Sequence, residues 1–292
     1  MAKNNTANIV GTAGTPPTGL ITYLTAAAYL DAEGAPRDGR RSCIVEPFTS
    51  ATIVDSLKGL FVPQEAIGEQ YRKGLMGRDS AGMNWKMDQN VVSQTFGSSS
   101  TAVLSCNTST ATGFLTSGWA STSTIALSAT TAAGNLNVGD VIQIANVYAV
   151  NPQNRQAYGS NKLRNFVVTA AATVATSGTT SVTVSPAVIT AGQFQNVSVT
   201  SPGASTVTPF NNTGTVSPQN IIMHRNAFCL AVADLELPEG VHFAGRASDK
   251  EIGLSMRVVR QYTINNDSIP TRLDVLYGWA PLYPELACRV AA

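Results

Sequence analysis

Apolar positions recur at helical spacing early in the chain and at strand spacing later. Leu20, Ile21, Leu24, Ala27, Ala28 and Leu30 share one face of a helix predicted over 19–33. Thr18 is placed to cap its first turn, Gly34 to supply a left-handed stop, and Pro36 forbids continuation. The preceding loop, Gly11 to Gly19, is dense in Gly and Pro, and its G-x-x-G spacing does not match a phosphate-binding fingerprint. Ser42 to Val45 reads as a short strand ended by Pro47. Thr49 or Ser50 then caps a second helix with Ile53, Val54, Leu57, Leu60 and Phe61 on one face. Pro63 opens a third helical segment over 64–75, and Trp85 to Asn90 is predicted as a strand.

From Ser93 onward the period shortens to two. Residues 97–112 are mostly small and polar and read as irregular or weakly paired, and Ser123 to Leu127 is a strand. Val141 to Val150 alternates cleanly, Val141, Gln143, Ala145, Val147 and Ala149 facing one way and Ile142, Ile144, Asn146, Tyr148 and Val150 the other. Phe166 to Thr169, Ser181 to Ser185 and Asn196 to Thr200 are further short strands between turn residues, the pattern of a small barrel or sandwich. Asn220 to Asp234 is apolar on both faces and reads as one central strand. Glu251 to Ile264 and Pro270 to Tyr277 form an antiparallel hairpin around a 265–268 turn, with Asp274 opposite Arg257 or Arg260.

Charge divides the chain. Of nineteen basic and eighteen acidic residues, only Asp140, Arg155, Lys162 and Arg164 fall between Ser93 and Pro218. That segment is an all-β module inserted into a host of mixed helices and strands. A net charge of +1 supplies no basic field for nucleic acid. Lys58, Arg72, Lys73 and Arg78 are spread over two predicted helices and read as solvated faces. Three of the insert's four charges crowd into one loop, Asn151 to Asn165, with Tyr158 between them. It is either a soluble hairpin tip or a projecting cationic contact.

Chemistry is sparse. Cys43, Cys106, Cys229 and Cys288 are scattered; an even count allows two disulfides, but the spacing favours reduced, buried thiols. His224 and His242 have no nucleophile or carboxylate at motif spacing, so neither a triad nor a metal site is indicated. No cofactor and no enzymatic activity are expected. Met1 to Asn8 lacks an apolar run and is no secretory signal, and no apolar run approaches the roughly 18 residues of a membrane span.

Read in order, several stretches resemble the coat proteins of tailed double-stranded DNA phages, in the podovirus-type branch of the Hong Kong 97-like fold that carries an inserted β-barrel. They are Leu57-Lys-Gly-Leu-Phe61, Gly74-Leu-Met-Gly77, Trp85-Lys-Met-Asp-Gln-Asn-Val91, Asn146-Val-Tyr-Ala-Val-Asn-Pro152, His224-Arg-Asn-Ala-Phe228, Arg257-Val-Val-Arg-Gln-Tyr262 and Thr271-Arg-Leu-Asp-Val-Leu-Tyr-Gly278. The resemblance implies an α+β chain. Residues 1–92 would hold a remnant of the spine helix and the first part of an axial domain, 93–218 the all-β insertion domain, 219–250 the second axial part, and 251–292 the peripheral-domain hairpin and C-terminus. The resemblance implies an N-terminal arm, an extended loop and most of a spine helix ahead of Gly11 that this sequence does not show, so it would be a fragment, a mis-started gene or a naturally short member.

The implied function is a major capsid subunit that self-associates into hexamers and pentamers of an icosahedral shell. Scaffolding and portal proteins are the implied partners, packaged DNA a non-specific one, and no membrane is involved. The implied location is the virion, after assembly in the host bacterial cytoplasm. Arg155, Tyr158, Lys162 and Arg164 are the candidate inter-subunit contacts, since the family sends an insertion-domain loop towards a neighbouring capsomer. The alternative, from the Ser/Thr-rich insert, is a secreted or surface carbohydrate-binding module.

Overall fold

The computed structural model describes residues 2–56, 80–99, 102–106, 114–159, 162–199, 205–211, 213–249, 251 and 253–292. The predicted third helix, the outer part of the second, and the basic residues Lys58, Arg72, Lys73 and Arg78 lie outside them. The described chain mixes helix and strand and is mostly β, with three helices: α1 (Ala2–Asn5), α2 (Leu20–Ala32) and α3 (Pro47–Ser56). It forms two compact units, one of 1–227 with 283–292 and one of 228–282.

In the first unit, the host sheet is centred on strand Val216–His224. Ala287–Ala291 and Arg41–Val45 flank it antiparallel; Ile9–Gly11 and Asn84–Met87 extend these two in parallel. Helix α2 buries Tyr23, Ala26, Ala27 and Leu30, and the Tyr23 ring tilts against Trp85 with centroids 5.0 Å apart. This corrects the predicted face, for Ile21 and Leu24 point to solvent at 71% and 42% exposure. The helix is apolar nearly all round, so its sequence carries no phase. Its N-cap is Gly19 with no side-chain hydrogen bond, not Thr18; its stop is Gly34 at φ +78°, as read. Pro47 opens α3 rather than merely ending the strand, because its fixed φ and missing N–H suit a first helical turn. Thr49 and Ser50 are buried inside that helix instead of capping it.

The insert has its own sheet. Leu163–Val168, Thr180–Ser185, Ser123–Ala129, Leu104–Cys106, Ser205–Pro209 and Val141–Ala149 pair in that order, and Val141–Ala149 pairs back to Leu163–Val168, closing the circuit; Val197–Val199 adds to Val141–Ala149. Leu104–Cys106 is thus a full member within a stretch expected to be irregular or weakly paired. The interior is apolar, with Ile125, Leu127, Ile142, Ile144, Phe166 and Val184 among its buried side chains. One expectation fails instructively. Val141–Ala149 does not keep one phase: Ile142 and Ile144 face inward, then Val147 and Ala149 do. Asn146 sits between them at φ +64°, a left-handed residue that shifts the side-chain alternation by one.

The insert's two ends meet. Ser93–Thr95 pairs antiparallel with residues 216–218, so Val216–His224 runs from the insert's base straight into the host sheet. The predicted strand over 220–234 breaks at Arg225 and Asn226, a turn that hydropathy hides because apolar residues resume at once.

The second unit contains two small sheets. Phe228–Ala233 pairs with Leu276–Pro281, and Phe243–Asp249, Leu254–Arg260 and Thr271–Asp274 form a three-stranded antiparallel sheet. The predicted hairpin is its core, with Arg257 opposite Asp274 and their side chains 2.6 Å apart.

Candidate functional site

The 151–165 loop leaves strand Val141–Ala149 and returns as Leu163–Val168. Its first turn is held by short polar side chains. Asn151 Oδ1 accepts from the Gln153 N–H at 2.9 Å and Asn154 Oδ1 from the Gln156 N–H at 3.0 Å. The Arg155 N–H donates to the Asn151 carbonyl at 2.8 Å. Arg155 itself is exposed and left-handed, at φ +58°, a conformation that costs a side chain with a Cβ roughly 1–2 kcal/mol.

The other three candidates turn towards the C-terminal end of α2. The Tyr158 hydroxyl donates to the Ala32 carbonyl, satisfying an acceptor the helix end leaves open. The Lys162 ammonium lies 3.2 Å from the centre of the Tyr29 ring, a cation–π contact. The Arg164 guanidinium pairs with the Glu33 carboxylate, and both side chains are at least nine-tenths buried. Gln143 Nε2 donates to Asn165 Oδ1 at 2.7 Å on the next rung. Burial raises the Glu33 pKa, with Arg164 pulling the other way; burial lowers that of Lys162. Burial also opposes the charge on Arg164, yet the nearby Glu33 and Glu285 carry its pKa upward.

The structure therefore brings Tyr158, Lys162 and Arg164 together on α2 and leaves Arg155 apart at the tip. Sequence reading missed Tyr29, Ala32 and Glu33. Glu33 is 131 residues from Arg164 and looks like any carboxylate at a helix end.

A second buried polar cluster sits at the base of the insert. Asp140 is fully buried and accepts from the N–H groups of Gly97 and Asn137, at 2.9 and 2.8 Å, and from Gln94 Nε2 at 3.0 Å. Arg289 Nη2 donates to the neighbouring Gly139 carbonyl at 2.9 Å. Burial raises the Asp140 pKa against these bonds and lowers that of Arg289 to about 10. Arg164–Glu33 and Arg289–Gly139 join insert to host, while the bonds to Asp140 tie the base of the insert to itself. Neither cluster presents a nucleophile, and among the described residues no three His, Cys, Asp or Glu side chains are grouped to hold a metal. None of the four cysteines is in a disulfide, and three of them are buried.

The family described as P22 coat protein, gene protein 5, matches residues 22–289, nearly the whole chain. The chain belongs to the P22 coat protein family. No individual curated protein matches it. As a P22-type coat protein it is a structural subunit of a tailed-phage capsid and acts by assembling with copies of itself in the virion. The match favours this reading over the carbohydrate-binding alternative. No described helix is long and apolar enough to cross a membrane.

Proposed function

We propose that this coat protein builds the hexamers and pentamers of an icosahedral shell in a Hong Kong 97-like arrangement. In that arrangement residues 1–92 and 219–250 supply axial-domain parts, 251–292 the peripheral hairpin, and 93–218 an insertion domain that stiffens the subunit. The observation that carries it is the family match over 22–289, and the double fastening of the insert through Arg164–Glu33 and Arg289–Gly139 supports the bracing role. Scaffolding and portal proteins are its assembly partners, packaged DNA is met only non-specifically, assembly runs in the bacterial cytoplasm, and no catalysis is involved.

The 151–165 loop contributes a contact to a neighbouring subunit through Arg155, the member of its cationic set that stays exposed; Tyr158, Lys162 and Arg164 hold the loop so that this residue is presented. Co-expression with a scaffolding protein tests the whole reading: closed shells by electron microscopy are expected, and soluble subunits alone would sink it. Arg155→Glu tests the loop. Folded subunits with reduced shell yield support the contact, and unchanged yield and shell stability remove it.

A further inference from the structure

Between the end of α2 and the returning limb of the 151–165 loop lies a small cavity of about 10 Å³, room for roughly one water. Glu33, Tyr158, Lys162, Arg164 and Asn165 are among the residues that line it. The Asn165 amide is the odd member. The residue is only 3% exposed; its Oδ1 accepts from Gln143 Nε2 at 2.7 Å, while its Nδ2 is buried and carries no hydrogen bond. The Tyr29 hydroxyl is near enough for this amide to pull its pKa down against burial, but it is not placed to accept a hydrogen bond from Nδ2. A buried donor left so forfeits its hydration without return.

Two more groups at the cavity have bonding capacity to spare. Arg164 engages Oε1 of the Glu33 carboxylate, and Oε2 has no donor among the described residues. The Lys162 ammonium rests on the Tyr29 ring, a contact that uses its charge and leaves N–H groups available. Two donors and one acceptor thus border the same space, and none of the three is hydrogen-bonded to another. Size and charge decide what fits there. An anion would meet the Glu33 carboxylate, and a metal cation would meet Lys162 and Arg164. Water is neutral, accepts two bonds and donates two, and matches the volume.

We propose that one buried water is a fixed part of this junction, accepting from Asn165 Nδ2 and the Lys162 ammonium and donating to the Glu33 carboxylate. It supplies the Arg164–Glu33 pair with a further polar partner and ties the returning limb of the loop to α2. This contact lies within one subunit and holds or fails independently of the capsid reading. Two measurements on the full-length chain test it. A high-resolution crystal structure should show one peak within about 2.7–3.2 Å of Asn165 Nδ2, Glu33 Oε2 and Lys162 Nζ. In solution, the Asn165 side-chain amide protons should cross-relax with water with the sign of a long-lived, immobilised molecule. Asn165→Leu should abolish the peak and speed amide exchange over residues 151–159 by about tenfold. Gln143→Met, which removes the bond on the other side of the same amide, should keep the peak. A dry cavity, an Asn165 amide bonded directly to Tyr29 or Glu33, or a peak that bromide replaces would each overturn the proposal. So would unchanged loop exchange in Asn165→Leu.

Discussion

Glu33 closes the last turn of α2 and pairs with Arg164, a residue of the insert's own sheet 131 positions further on. Burying a charge pair is expensive, and removing one member leaves the other uncompensated. Arg164→Met, which leaves the Glu33 carboxylate buried without its cation, should therefore destabilise the fold by about 3–5 kcal/mol, and Glu33→Gln by less, because burial already favours the neutral form of Glu33. Replacing both, Glu33→Leu with Arg164→Met, should recover most of the loss. Urea denaturation of the three variants measures this; a double variant as unstable as the singles would contradict it.

Asp140 carries a similar burden without a paired cation in direct contact. Asp140→Ala strips acceptors from the Gly97 and Asn137 N–H groups and from Gln94, and should cost about 3–5 kcal/mol. Amide exchange at Gly97 and Asn137 should accelerate well before the rest of the insert's sheet does. Asp140→Asn keeps an acceptor for both N–H groups and should cost less.

Left-handed Arg155 allows backbone and charge to be separated. Arg155→Gly relieves the strained φ and should leave the subunit as stable or up to about 1 kcal/mol more stable. Arg155→Val, branched at Cβ, should lose stability. If the exposed charge makes a shell contact, Arg155→Gly should still lower shell yield despite its sounder fold, as read by thermal melting beside electron microscopy.

Acid should loosen the two units by one rule. Arg37 and then Arg41 hold Asp31 below its ordinary 3.8, and Arg257 and then Arg272 do the same for Asp274. Carboxylates so held stabilise the fold above their ordinary pKa and cease to as pH falls through the depressed one. Glu33 has the opposite sign: burial lifts it above 4.5, so its protonation favours the folded state. The melting temperature should fall as pH drops below about 4. Asp31→Asn should flatten that fall, whereas Glu33→Gln should steepen it.

Legibility in the sequence followed the range of the interaction. The limits of α2 were readable because Gly34 and Pro36 act on the backbone where they stand. The 254–274 hairpin and its Arg257–Asp274 pair were readable because strand alternation and a turn fix the register locally. The buried side of α2 was not, because Ile21 and Leu24 are as apolar as Tyr23 and Leu30, and only packing chooses between them. The phase change at Asn146 needed a left-handed residue that alternation cannot reveal. The cationic loop was visible as a charge cluster, but its inward-facing partners Tyr29, Ala32 and Glu33 lie more than a hundred residues earlier.

Strand Val216–His224 pairs with Ser93–Thr95 at one end and with Ala287–Ala291 and Arg41–Val45 at the other. Tension drawn along it between insert and host would act parallel to the strand, across hydrogen bonds lying nearly perpendicular to the pull. Such bonds yield together rather than one at a time. The junction is therefore strongest in shear along the strand, the direction in which insert and host would be pulled apart.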